Sequence, residues 1–191
     1  MSNISQPDTV TTAERGREFW RGVLLAGGFT AIPRWTLNPV PGVGDHEATI
    51  PNELVPALRR LANELSVPLS SVLLTAHAKV LVALSGEPEV CTGYAVEARS
   101  PLPLRMTIAP HSWREALLET ARAESELLSH EDFPVDDLKH ELGLIEPSFE
   151  TLFEMAAGNG EAPAEDVVLR VSFLEHDERL VLRLRWASLW K

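Results

Sequence analysis

Residues 68–98 read PLSSVLLTAHAKVLVALSGEPEVCTGYAVEA. The first part, 68–86, is apolar almost all round, apart from Ser71, Thr75 and Lys79 one turn apart. A helix of that kind is buried on most of its surface, as helices that cover a β-sheet are. The three polar residues then form a narrow wet stripe. Residues 89–98 read as a strand leaving that helix, and Gly93 inside it admits close approach by another backbone or a ligand.

Working outward, ATIPNELVPALRRLANELSV carries Leu54, Leu58, Leu61 and Leu65 at spacings of four, three and four. That is an amphipathic helix with one buried face, and Pro56 falls in its tolerant first turn. Residues 13–27 read as a short helix with Phe19, Trp20, Val23 and Leu24 on one side. Residues 29–44, with three prolines and two glycines, read as an extended connector. HSWREALLETARAESELLSH opens with Ser112 and Glu115, the spacing of a capping box, and continues as a helix through Trp113, Leu117, Ala121, Glu124 and Leu128. The last segment alternates Val167, Leu169, Val171, Phe173 and then Leu180, Leu182, Leu184, Trp186, which predicts a C-terminal β-hairpin turning at residues 176–178. Helices mixed with strands predict an α/β (α+β) class, a mixed or antiparallel sheet covered by helices. Residues 1–12 read as a flexible tail and 13–191 as one domain.

The composition excludes several classes. The net charge of −11 makes nucleic acid and anionic membranes poor partners. No apolar run approaches the ~20 residues that span a bilayer. The N-terminus lacks the order of a signal peptide. The single Cys91 cannot form an internal disulfide, which favours a reducing compartment and a cytoplasmic location.

The densest polar stretch is SHEDFPVDDLKHE, residues 129–141. His130, Asp136 and His140 could meet in a turn, yet no HxxxH, HExxH or CxxC spacing exists, so no metal is expected. Helix-end electrostatics explain the charges. His130 suits the negative end of one helix, Asp136 and Asp137 the positive end of the next, Lys139 and His140 its other end, and Gly143 stops it. Phe133–Pro134 starts that second helix. Cys91, in an apolar strand, reads as a small hydrophobe, and His77 as a satisfied core histidine. No GxSxG elbow or phosphate loop occurs. Arg170, Arg183 and Arg185 share one face of the hairpin by alternation, either as a solvated face with cross-strand glutamates or as a site for an acidic partner.

Read in order, five segments resemble the condensation domain of nonribosomal peptide synthetases, of the chloramphenicol-acetyltransferase-like superfamily. They are REFWRGVL, the long helix and strand from Leu61 to Arg99, SHEDFPVDDLKHELG, IEPSFETLFEM and the closing hairpin ending RWASLW. The third is similar to the family's HQDxPFExLVxxLG through His130, Asp132 and Pro134, with Glu131 and Val135 substituted. The fourth matches through Pro147, Ser148, Leu152 and Phe153, with Phe149 where the family has arginine. The resemblance implies a single lobe, the C-terminal one.

Two departures bear on function. The family's catalytic HHxxxDG is absent, and this sequence has no His-His pair. The segment that crosses between lobes is also missing, because EARS leads straight into Leu102–Pro103–Leu104–Arg105. In the family this sequence resembles, the active histidine works in a channel between two lobes reached by two phosphopantetheine-bearing carrier proteins, and half of that channel cannot hold two thioesters in attack geometry. The resemblance therefore implies a non-catalytic, truncated domain that docks an adenylation domain, fused or separate, partly through the hairpin and Trp190. No cofactor is expected on the chain itself, and phosphopantetheine only on a partner carrier protein. Two alternatives stay open. One is an acyltransferase completed by dimerisation or a separate first lobe, with His77 or His111 as base. The other is a carrier-protein module using Arg170, Arg183 and Arg185.

Overall fold

The computed structural model describes residues 8–33, 42–96, 100–108, 112–145, 148–156, 167–176 and 179–188. The element order is α1 (Asp8–Leu25), β1 (Gly42–Thr49), α2 (Leu54–Leu65), α3 (Leu69–Ser85), β2 (Glu89–Tyr94), β3 (Leu102–Thr107), α4 (Trp113–Ser129), α5 (Val135–Glu141), β4 (Thr151–Ala156), β5 (Leu169–His176) and β6 (Arg179–Ser188). The strands make one mixed sheet in the order β1-β6-β5-β4-β2-β3. The β2–β4 and β4–β5 pairs are parallel and the others antiparallel.

The apolar run of α3 is central because it packs on β2, β4 and α4 at once. Its Val72, Leu73, Leu74, Ala78 and Leu81 are buried. The helix ends at Gly86, which takes φ +78° and returns its N–H to Val82 O, the left-handed stop that glycine adopts without strain. Phe153 of β4, fully buried, joins the layers through ring contacts with His77, Tyr94 and Phe173.

Several sequence expectations need correction. Helix α1 begins at Asp8, not at residue 13. On the inward face of α2, Leu58, Leu61 and Leu65 pack on the core as expected, together with Val55 and Ala62, but Leu54 is 49% exposed. The stripe of Ser71 and Thr75 is not wet. Both are fully buried beneath α4. On α4 the inward side chains are Ala116, Leu117, Thr120, Glu124 and Leu127, while Trp113 and Leu128 face out. Pro134 sits at the N-cap of α5, one position before the helix.

The capping box of α4 is present. Glu115 N–H donates to Ser112 Oγ at 3.3 Å, and Ser112 N–H donates back to Glu115 Oε2 at 3.1 Å. Ser112→Ala is expected to cost about 1 kcal/mol in urea unfolding. No change in the midpoint would show that the cap contributes nothing.

Candidate functional site

Three groups of polar residues were candidates, and each is placed by a different part of the fold. The stretch 129–141 lies where α4 turns into α5, and its role is to hold α1. The Trp20 indole N–H donates to His130 O at 2.9 Å. The Phe19 ring stacks on the His130 imidazole at 4.6 Å. A side chain on Gly16 would meet Phe133 at 3.0 Å, and Arg17 is ion-paired with Glu141. His130 is the C-cap of α4, Asp136 and Asp137 lie in the first turn of α5, and Lys139 and His140 in its last. Gly143, at φ +68°, ends the turn with its N–H on His140 O. The helix-end account of these charges therefore holds. Asp132, Pro134 and Asp136 border a recess of about 330 Å³ with Ser100 and Pro101. Among the described residues no three His, Cys, Asp or Glu side chains converge to hold a metal ion.

The arginines do come together. Arg170 lies opposite Arg185, and Ser172 opposite Arg183. Carboxylates flank them on both sides: Arg183 is paired with Glu47 of β1, and Arg170 with Glu154 of β4 at 3.6 Å. Ser172 Oγ donates to the same Glu154 oxygen at 2.8 Å. The side chains of Arg170 and Arg183 are only 13% and 17% exposed. The cross-strand glutamates expected on this face are thus present, but Arg170 and Arg183 are largely buried among them rather than solvated. Pro147, His111 and Trp190 lie outside the described residues. Ser148 is described, and its carbonyl accepts from Cys91 Sγ at 3.3 Å.

Burial holds the His77 imidazole and the Cys91 thiol in their neutral forms. His77 Nε2 is 3.1 Å from Thr92 Oγ1, which also takes the Thr151 hydroxyl at 2.8 Å. Burial lowers the His77 pKa from 6.5 to about 4, so at neutral pH it is an uncharged core histidine. Burial raises the Cys91 thiol to about 11, against a smaller opposing pull from Arg105. A thiol at that value is a poor nucleophile at neutral pH.

Sequence reasoning missed three residues. Glu124, 2% exposed, accepts from Tyr94 Oη at 2.6 Å and from Ser71 Oγ, tying α4 to β2 and α3. Burial, and then this hydrogen bond, push the Tyr94 phenol far above its ordinary range. The signal was there: a glutamate in the apolar spacing of α4, with serine and threonine in the apolar run of α3. Glu124→Ala strands two buried hydroxyls and should cost about 1–3 kcal/mol in urea unfolding; a smaller loss would mean that the network is dispensable. Arg105 caps the end of α1 by donating to Val23 O at 3.0 Å and to the Gly27 and Gly28 carbonyls. Phe149 lies flat over Gly93, where a Cβ would stand 2.5 Å from its ring. Gly93 thus makes room for a side-chain ring, rather than for the backbone or ligand expected to approach it. Beside this contact, Val23, Phe29, Cys91, Arg105, Leu144 and Ile145 bound an open cleft of about 640 Å³.

No family model matches the chain. It is 26% identical over 153 residues to tyrocidine synthase 2 of Brevibacillus parabrevis, covering 68% of this chain and 4% of that protein. It is 28% identical over 192 aligned residues to the ferrichrome siderophore peptide synthetase of Mycosarcoma maydis, covering 90% and 5%. Among solved structures it superposes on the X-domain from teicoplanin biosynthesis with a TM-score of 0.78, at 14% identity, over 92% of this chain and 49% of that one. For the first condensation domain of the calcium-dependent antibiotic synthetase the values are 0.71, 19%, 94% and 48%. This is the fold of a condensation-domain lobe. The lobe spans about half the length of those domains and a small fraction of the synthetases. The helix-covered mixed sheet expected of such a lobe is present, with the C-terminal hairpin as its β5–β6 pair. Among the described residues no single helix is long and apolar enough to cross a membrane.

Proposed function

We propose that this lobe is a non-catalytic docking module of a cytoplasmic nonribosomal peptide synthetase assembly line, and that its partner is an adenylation domain, fused or separate. The observation that carries the reading is a condensation-type lobe fold in a sequence with no His-His pair. The neutral, buried state of His77 supports it, since a general base must reach the proton it abstracts. The fold also occurs in a protein complex: the X-domain from teicoplanin biosynthesis, TM-score 0.78, is described bound to OxyB. Phosphopantetheine, on this reading, stays on a carrier protein.

The test is to purify the lobe with the adenylation protein encoded nearest to it. Co-elution, together with a change in that protein's amino-acid-dependent pyrophosphate exchange, is expected. If neither appears, the docking role is wrong. Incubation with an acylated carrier and an amine donor addresses the acyltransferase alternative. Product that disappears in His111→Ala or His77→Ala would replace docking with catalysis. A carrier-binding role for Arg170, Arg183 and Arg185 has less support, because Glu154 and Glu47 already engage Arg170 and Arg183.

A further inference from the structure

The two edges of the sheet are treated differently. Helix α1 lies against β3. Strand β1, at the other edge, pairs among the described residues with β6 alone, and seven of its eight residues are exposed. Its backbone polarity can be read from one bond. Ile50 N–H donates to Leu180 O at 2.8 Å, one step beyond the Thr49–Val181 pair. In an antiparallel ladder the hydrogen-bonded pairs alternate, so the even positions of β1 bond to β6. Val43, Asp45, Glu47 and Thr49 direct their N–H and C=O groups outward.

Those odd positions also carry the charge. Asp45 stands opposite Arg185, and Glu47 opposite Arg183. Across this face two cationic strands, β5 with Arg170 and β6 with Arg183 and Arg185, are flanked by Glu154 on β4 and by Asp45 and Glu47 on β1. A strand added outside β1 would face these two carboxylates, so cationic side chains suit it. Glu47 remains 46% exposed while paired with Arg183, so it can accept a second donor. Two copies of β1 could not add to each other comfortably. An antiparallel self-pair centred on His46 sets Asp45 against Glu47, and like charges directly opposite are destabilising. Residues 42–49 contain no lysine or proline, the usual means of blunting an edge.

We propose that the outer edge of β1 accepts an extended segment of another polypeptide as a seventh strand, one that carries Lys or Arg two residues apart to face Asp45 and Glu47. Main-chain bonds from Val43, Asp45, Glu47 and Thr49 supply the affinity, and the two carboxylates select the sequence. The inference does not depend on the adenylation partner.

The experiment is an NMR titration of the ¹⁵N-labelled chain with blocked acetyl-Lys-Val-Lys-Thr-Lys-Val-amide and its counterpart with glutamate for lysine. The basic peptide should shift the β1 amides saturably, and the acidic one should bind about tenfold more weakly or worse. Thr49→Pro removes an outward N–H without altering charge. It should weaken the basic peptide several-fold while the circular dichroism stays unchanged, and Asp45→Asn should also weaken it. If Thr49→Pro perturbs the fold, a basic peptide N-methylated at alternate residues gives the same information on the unmodified chain, and should bind more weakly. The proposal is overturned by equal binding of the two peptides, by shifts scattered over the acidic surface, by no binding, or by dimerisation through β1.

Discussion

Trp20→Ala should lower the unfolding free energy by about 3–5 kcal/mol, the loss typical of a large aromatic removed from a closed core. Trp20 is 0% exposed, edge-on to Phe19 at 5.0 Å and hydrogen-bonded to the end of α4. Its removal leaves a cavity and also frees the His130 carbonyl, so α1 loses its main attachment to the α4–α5 junction. The measurement is the urea midpoint with the m-value checked for two-state behaviour. Trp20→Phe should lose less, since the ring volume is mostly retained and the indole bond is what goes. A loss below about 1 kcal/mol for the alanine variant would mean that α1 contributes little, against the packing described.

The second large effect is on acid stability. His77 is held neutral by burial, with its pKa lowered from 6.5 to about 4. Between those values the unfolded chain binds a proton that the folded chain refuses. Stability from this group is therefore complete above about pH 6.5 and is lost as the pH falls towards 4. The shift corresponds to about 3 kcal/mol at most. His77→Gln, which keeps a polar group near Thr92, should flatten the acid limb of the stability profile by that order while carboxylates elsewhere titrate as before. Parallel urea midpoints at several pH values check it. Identical acid limbs in the two proteins would show that His77 ionises freely.

The sequence disclosed α3 and α4 because each buries a broad face and so repeats at the helical period. It disclosed β5 and β6 because their alternate residues face the helices. It did not disclose β1. GVGDHEAT lies exposed on nearly every residue and has no apolar alternation to report its partner β6. Strands β3 and β4 were also unmarked. Pro103 sits within β3, which a proline tolerates because β3 is at the sheet edge. The identity of the buried polar seam was hidden for another reason. Ser71 and Thr75 look solvent-facing until Glu124, 53 residues later than Ser71, is placed against them. The arginine face was legible as a face, whereas the glutamates that occupy it come from β1 and β4.

The attachment of α1 bears on how the chain folds as it is made. Trp20 meets its hydrogen-bond partner 110 residues downstream, and Arg17 meets Glu141 at a separation of 124. Helix α1 cannot be seated until the α4–α5 junction has followed it out of the ribosome. During that interval Phe19, Trp20, Val23 and Leu24 form an uncovered apolar surface on a nascent chain, the kind of surface that chaperones bind. Contacts so distant in sequence are slow to close. The docking of α1 is therefore expected to be a late step of folding, and Trp20 burial, followed in refolding by its protection from solvent, is its natural reporter.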